Sequence, residues 1–152
     1  MLVASFATLF GLLSPQNGQA DPPSGLTVVV VNVGQGDGIV IRAPNGQVHV
    51  VDGGPDGQGT AAMLPAITAL QPTSYGYAFM SHHHIDHMGG LDEVLALPFQ
   101  AAIDRGDVNR PSNTDMTNYL TAAGARRQTV GLGTVYQLGG GASLARSEEH
   151  TS

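Results

Sequence analysis

The run Ser81-His82-His83-His84-Ile85-Asp86-His87-Met88-Gly89-Gly90 constrains this chain more than any other part of it. Written as a pattern it is H-x-H-x-D-H-x-G-G. Neutral imidazole and carboxylate are ordinary ligands of zinc and similar divalent ions, and His82, His84, Asp86 and His87 offer them within one short segment. Two such ligand groups suit two ions in one cradle. A loose His-rich tract would share the residue types but not the setting. Tyr75-Gly76-Tyr77-Ala78-Phe79-Met80 reads as a buried strand. Leu91, Val94 and Leu95 then recur at helical spacing until Pro98 stops them. The motif therefore sits on a strand-to-helix turn, where Gly89 and Gly90 let the backbone approach closely. His83 and Ile85 are spacers, and His83 is expected to point away from the metals.

The segments upstream predict a rim for that motif. Residues 26–33 are apolar at nearly every position, which predicts a strand covered on both faces. Gly34-Gln35-Gly36-Asp37 is a turn and residues 38–42 a second strand. Pro44-Asn45-Gly46 is a hairpin signal before a third strand at 48–52. Residues 60–70 supply the crossover helix that a parallel fourth strand needs. This arrangement brings Gln35, Asp37 and Asp52 to the edge that carries the histidines. Asp52 is either a turn former or a group that hydrogen-bonds the ligand loop and orients a histidine. Asp37 is either turn chemistry or part of the rim. The glycines at 34, 36 and 38 lie between strands, so they fail the context of a dinucleotide-binding loop.

The remainder reads as scaffold. Residues 101–103 predict a strand, and Asp104-Arg105-Gly106-Asp107 after it either borders the site or, the favoured reading, is a solvated turn. Asn113 or Thr114 caps a helix carrying Met116, Tyr119, Leu120 and Ala123, stopped by Gly124. Residues 128–130 and 134–138 are short strands. His49, alternating with Val48 and Val50, is expected to be structural.

These motifs together resemble a metallo-β-lactamase-fold metallohydrolase. The runs Val33-Gly34-Gln35-Gly36-Asp37 and Asp52-Gly53-Gly54 are similar to the subgroup holding the hydrolase domain of ComEC-type competence proteins. The likeness covers residues 26–144. It implies an α/β fold, an αββα sandwich of which the chain carries the first half and the start of the second. It implies that His82 and His84 hold one divalent ion and that Asp86 and His87 hold the other, the ions being Zn²⁺ or Mn²⁺. It gives Asp86 a catalytic role in orienting the attacking water and favours the orienting role for Asp52. Further ligands are implied downstream, another His, an Asp and a last His. Asp104, Asp107 and Asp115 lack the local context for them. The implied reaction is hydrolysis of a phosphodiester or similar ester in a small molecule or polymer. A β-lactam or thioester hydrolase, a non-catalytic metal-binding module and a redox di-iron protein are the competing classes.

The two ends read differently from the centre. Residues 1–20 resemble a secretory leader, with an apolar run and Gly18-Gln19-Ala20 before Asp21, although the first basic residue is Arg42. That run is too short for a full membrane span; it predicts an extracytoplasmic location, with the tail end of a span or a buried first helix of the domain as the alternative readings. Residues 146–152 match the translation of a common sequencing adapter and are expected to be foreign to the natural chain, so His150 is kept out of any ligand set. The domain itself is expected at 26–145. The stretch from Asp21 to Ala145 holds five Arg against ten Asp and Glu, a net of −5. That balance does not support nucleic acid as a partner, because nucleic-acid binders normally carry a basic footprint. With no Cys in the sequence there is neither a disulfide framework nor a thiolate ligand.

Overall fold

In the computed structural model, residues 24–145 are described. The leader-like stretch 1–20 and the tail 146–152 lie outside the described residues. Six strands form one mixed sheet in chain order: β1 (Thr27–Val30), β2 (Gly38–Arg42), β3 (Gln47–Gly53), β4 (Ser74–Phe79), β5 (Ala101–Asp104) and β6 (Arg127–Thr129). The first three make an antiparallel meander, and β3 to β6 run parallel. The first parallel crossover uses a π-helical turn, Gly59–Met63, running into α1 (Leu64–Ala69). The next carries α2 (Ile85–Met88) and α3 (Leu91–Val94), and the third carries α4 (Thr114–Ala123). β7 (Val135–Gly139) and β8 (Ala142–Ala145) form a separate antiparallel hairpin.

Strand alternation divides the core into two layers. Val40, Val48, Val50, Ala78 and Ala102 pack with Met63, Ile67, Leu91, Val94, Met116 and Tyr119 on the helical side. Ile41, Phe79, Ala101 and Ile103 pack with Leu138 of the hairpin on the other. The result is a layer of helices, a six-stranded sheet and a two-stranded hairpin on its other face, an α/β layering of the expected class. Among the described residues, no helix is long and apolar enough to cross a membrane.

α4 follows its local signals closely. Asn113 is extended and its side chain accepts the Met116 N–H at 2.9 Å, while Gly124 ends the helix at φ 51°. β1 departs from expectation. Val29 packs against the helical-side core, but Val28 and Val30 are 55% and 74% exposed. Their partners across the ladder are Ile41 and Ile39, which puts them on the hairpin-facing side. The hairpin sits over β3 and β4, where Tyr136 meets Tyr77 and Phe79 and Leu138 meets His49. Among the described residues the hairpin packs on β3 and β4 and leaves Val28 and Val30 of the edge strand exposed, so this all-apolar sequence is covered by them on one face only.

His49 is structural, as expected, and its partners explain why. The β3–β4 register shifts between Val48 and Val50. His49 Nδ1 accepts the Tyr77 N–H at 3.0 Å, and Nε2 donates to the Leu138 carbonyl at 2.9 Å. One neutral tautomer satisfies both bonds. Burial lowers the pKa of the ring and keeps that neutral form.

The turn after β5 is a correction. Asp104 is 1% exposed rather than solvated. Its carboxylate takes Arg127 Nε at 2.7 Å, Arg127 Nη2 at 3.3 Å, the Tyr119 hydroxyl at 3.0 Å and the Gly106 N–H at 2.7 Å. Arg127 also bonds Asp107 at 2.9 Å, which alone of the two acids is exposed. Sequence proximity to Gly106 suggested a turn. The arginine that buries the acid lies 23 residues on.

Candidate metal centre

The ligand loop begins where β4 ends and continues as an extended segment to His84, whose φ and ψ are −72° and 144°. In extended backbone alternate residues share a face, so His82 and His84 come together and His83 turns away. Their ring centroids are 4.6 Å apart, with His82 Nε2 3.1 Å from His84 Nδ1. At Ile85 the chain enters the single turn of α2, where the N–H groups of His87 and Met88 both bond the His84 carbonyl. That turn swings His87 back over His82, with ring centroids 4.0 Å apart. His83 faces the other way, toward Arg105, Asp104 and the backbone of Asn109, and its pKa is lowered first by burial and then by Arg105.

Asp52 is the anchor beneath the loop. It takes φ 58°, a left-handed conformation that carries a modest cost for a residue with a side chain, though Asp tolerates it better than most. The turn aims its carboxylate at the end of β4. Oδ1 accepts the Ser81 N–H at 2.7 Å. Oδ2 accepts the Ser81 hydroxyl at 2.5 Å and His87 Nδ1 at 2.9 Å. Ser81 Oγ is also 2.9 Å from His82 Nδ1. The pKa of His82 is lowered by burial and then by the neighbouring His87 and His84, against the opposite pull of Asp52 and Asp86. A neutral ring is the form that binds a cation.

The β1–β2 turn closes over the loop from the other side. Gln35 Nε2 donates to Asp86 Oδ2 at 3.2 Å. Asp37 Oδ2 stands 3.7 Å from His87 Nδ1 and is 60% exposed at its side chain. Gly36, at φ 76°, lies so close to Asp86 that a Cβ there would strike the Asp86 carbonyl. A second close approach joins the Asp52-Gly53-Gly54 turn to Gly90. A Cβ on Gly53 would sit 2.7 Å from the Gly90 carbonyl carbon, and Gly90 N–H bonds Gly54 O at 3.0 Å.

All the residues expected at the rim are thus brought to one edge of the sheet. Their grouping differs in detail from the sequence expectation. Asp52, His82 and His87 have donor atoms all within 4.8 Å of one another and lie close enough to share an ion. His84 joins through His82, and Asp86 is turned toward Gln35. The candidate donors His82, His84, His87 and Asp86, three imidazoles and one carboxylate with no thiolate, fit a divalent metal ion. The sequence marks Ser81 only as the residue ahead of the first histidine. Its signal was its place between the end of a strand and the first histidine. Asp56, Asp92 and Glu93 also approach one another, but Glu93 is engaged by the N–H groups of Gly57 and Thr60 and so ties that loop down.

A mixed sheet with a histidine-rich loop at the carboxyl end of a central strand defines a metal-site α/β domain. Residues 31–122 match the metallo-beta-lactamase superfamily, and the chain belongs to it. Two solved structures share the fold. One is the metallo-β-lactamase SMB-1 bound to 2-mercaptoethanesulfonate, with TM-score 0.57 and 18% identity over 79% of this chain and 51% of that one. The other is MEM-A1, a subclass B3 metallo-β-lactamase from a soil metagenome library, with TM-score 0.54 and 20% identity over 80% of this chain and 51% of that one. The chain spans about half the length of these structures. No curated protein matches the sequence.

Proposed function

We propose that this chain carries the metal-binding half of the active site of a hydrolase that uses two divalent ions, Zn²⁺ or Mn²⁺, on a phosphodiester or similar ester. The observation that carries the reading is Asp52, a carboxylate 1% exposed whose one ion-pairing side chain among the described residues is His87. A buried carboxylate without an arginine or lysine among the described residues, set beside imidazole rings, is an environment that a cation completes. His82 and His84 would hold one ion, and Asp86 and His87 the other. Bound there, the ions supply an activated water and stabilise the negative charge that develops on the attacked group. Asp86 would hold one ion and orient the attacking water. Gln35 holds the outer oxygen of Asp86, and Asp52 holds the two rings nearest the sheet.

The runs Val33-Gly34-Gln35-Gly36-Asp37 and Asp52-Gly53-Gly54 support placement with the ComEC-type subgroup and hence a phosphodiester. The acidic balance of the chain favours a small phosphodiester over long nucleic acid. The leader-like stretch at 1–20 supports an extracytoplasmic location. Elemental analysis of the full-length protein should find about two zinc or manganese ions per chain. His82→Ala or His84→Ala should remove most binding at one site, and Asp86→Ala or His87→Ala at the other. Unchanged metal in all four variants would sink the assignment. The loaded protein should turn over bis(p-nitrophenyl) phosphate. Activity on nitrocefin or a thioester alone would leave a metallohydrolase but remove the phosphodiester.

A further inference from the structure

We propose that Ser81 is a positioning residue: its hydroxyl relays the Asp52 carboxylate to His82 and fixes which nitrogen of that ring faces the metal. The proposal rests on the metal-centre reading above. An ionised carboxylate only accepts hydrogen bonds. The 2.5 Å contact between Ser81 Oγ and Asp52 Oδ2 therefore spends the serine proton on the aspartate. What Oγ has left for His82 Nδ1, 2.9 Å away, is a lone pair, so the proton in that bond sits on Nδ1. In a neutral imidazole the lone pair is then on Nε2, the side that meets His84. His87 receives the same instruction directly, since its Nδ1 bonds the same Asp52 oxygen at 2.9 Å. One buried carboxylate thus orients two rings, one by contact and one through a serine.

The geometry explains why a relay is needed. His87 returns over the sheet on the turn of α2 and reaches Asp52 itself. His82 follows Ser81 along an extended segment, and its Nδ1 meets the hydroxyl of the preceding residue. The same segment also separates the relay from the anchoring of the loop. The Ser81 N–H bonds Asp52 Oδ1 at 2.7 Å whatever its side chain. Ser81→Ala therefore removes the relay and leaves the loop tied down.

The test uses the full-length protein as wild type, Ser81→Ala and Ser81→Thr. Zn²⁺ affinity is measured by chelator competition, and the His82 tautomer by ¹⁵N NMR of the metal-free protein. The wild-type ring should be protonated at Nδ1. Ser81→Ala should lose that preference and bind Zn²⁺ about 10–100-fold more weakly, the usual cost of removing a group that orients a ligand. Ser81→Thr, which keeps the hydroxyl, should stay within a few-fold of wild type. Ser81→Ala should add nothing to His82→Ala and should add its own loss to His87→Ala, because only the His82 arm runs through the serine. Wild-type affinity and tautomer in Ser81→Ala would overturn the relay, as would equal losses in the alanine and threonine variants. If Ser81→Ala does not fold, the wild-type spectrum still decides: a ring protonated at Nε2 refutes the proposal. A wild type that binds no Zn²⁺ would overturn the metal-centre reading and the relay with it, whereas a binding wild type with unaffected variants removes the relay alone.

Discussion

Asp52 and Asp104 stand at the same edge of the sheet, on the strands either side of β4, and each is 1% exposed. They differ in what answers their charge. Asp104 is closed by an arginine that grips both oxygens, a buried tyrosine hydroxyl and a backbone N–H. Its hydrogen bond is the main reason the Arg127 pKa is raised, and burial, then Asp104, raises that of Tyr119 so that the hydroxyl stays a donor. Asp52 has a serine and a histidine. One aspartate is answered by a cation of the fold, and on the proposed reading the other is answered by a metal ion. Burial alone does not separate a structural acid from a functional one, whereas the balance of charge around it does.

The largest effect that sharpens this comparison is at Asp104. Removing one partner of a buried ion pair typically costs up to about 3–5 kcal/mol, and Arg127 would keep Asp107 as a partner, so the upper end of that range is a ceiling here. Asp104→Ala should lower stability by that order in urea unfolding, while the folded fraction keeps its metal affinity. A variant with stability intact and metal lost would reverse the roles assigned to the two aspartates.

Asp52→Asn should behave in the opposite sense and with a smaller magnitude. Asn tolerates the left-handed backbone and keeps the shape of the side chain. The metal-free protein should stay folded with only a modest change in melting temperature, since the removal of a buried charge offsets the loss of one acceptor for Ser81 and His87. Zn²⁺ affinity should fall about 10–100-fold, and the rise in melting temperature that Zn²⁺ produces should shrink with it. Loss of the fold with affinity retained would make Asp52 a turn residue and no more.

The same pair shows what a sequence displays and what it hides. Asp52 was legible because its signals are local: an acid at the end of an apolar strand, followed by two glycines. The histidine cluster, β2, β3 and α4 were legible for the same reason, through alternation, caps and a motif confined to ten residues. Asp104 was misread because its arginine is distant in the chain and belongs to another strand. β1 was misread because composition reports how apolar a strand is and not how far a hairpin 100 residues later extends over it. Ser81 was passed over because its role needs the turn of β3 and the end of β4 in register. Local chemistry was visible in the residues themselves, and partnership across the sheet was not.

The smallest predicted effect belongs to His49, which extends the comparison to a buried base. Its ring must be neutral to accept from Tyr77 and donate to Leu138. Its folded pKa is accordingly lowered from the ordinary 6.5, with burial as the main cause. As pH falls, the unfolded chain takes up this proton before the folded one does. The stability that His49 contributes is therefore complete above 6.5 and is lost progressively as pH drops from there toward the folded value. One proton corresponds to a slope of at most about 1.4 kcal/mol per pH unit. His82 and His83 shift in the same direction, so His49 is isolated by difference. His49→Gln retains a donor near Leu138 and cannot titrate. It should be less stable than wild type at pH 7.5, and the gap should narrow toward pH 5 as the wild type loses the contribution of its neutral ring. Parallel stability curves for the two proteins over that range would mean that His49 is held by packing alone.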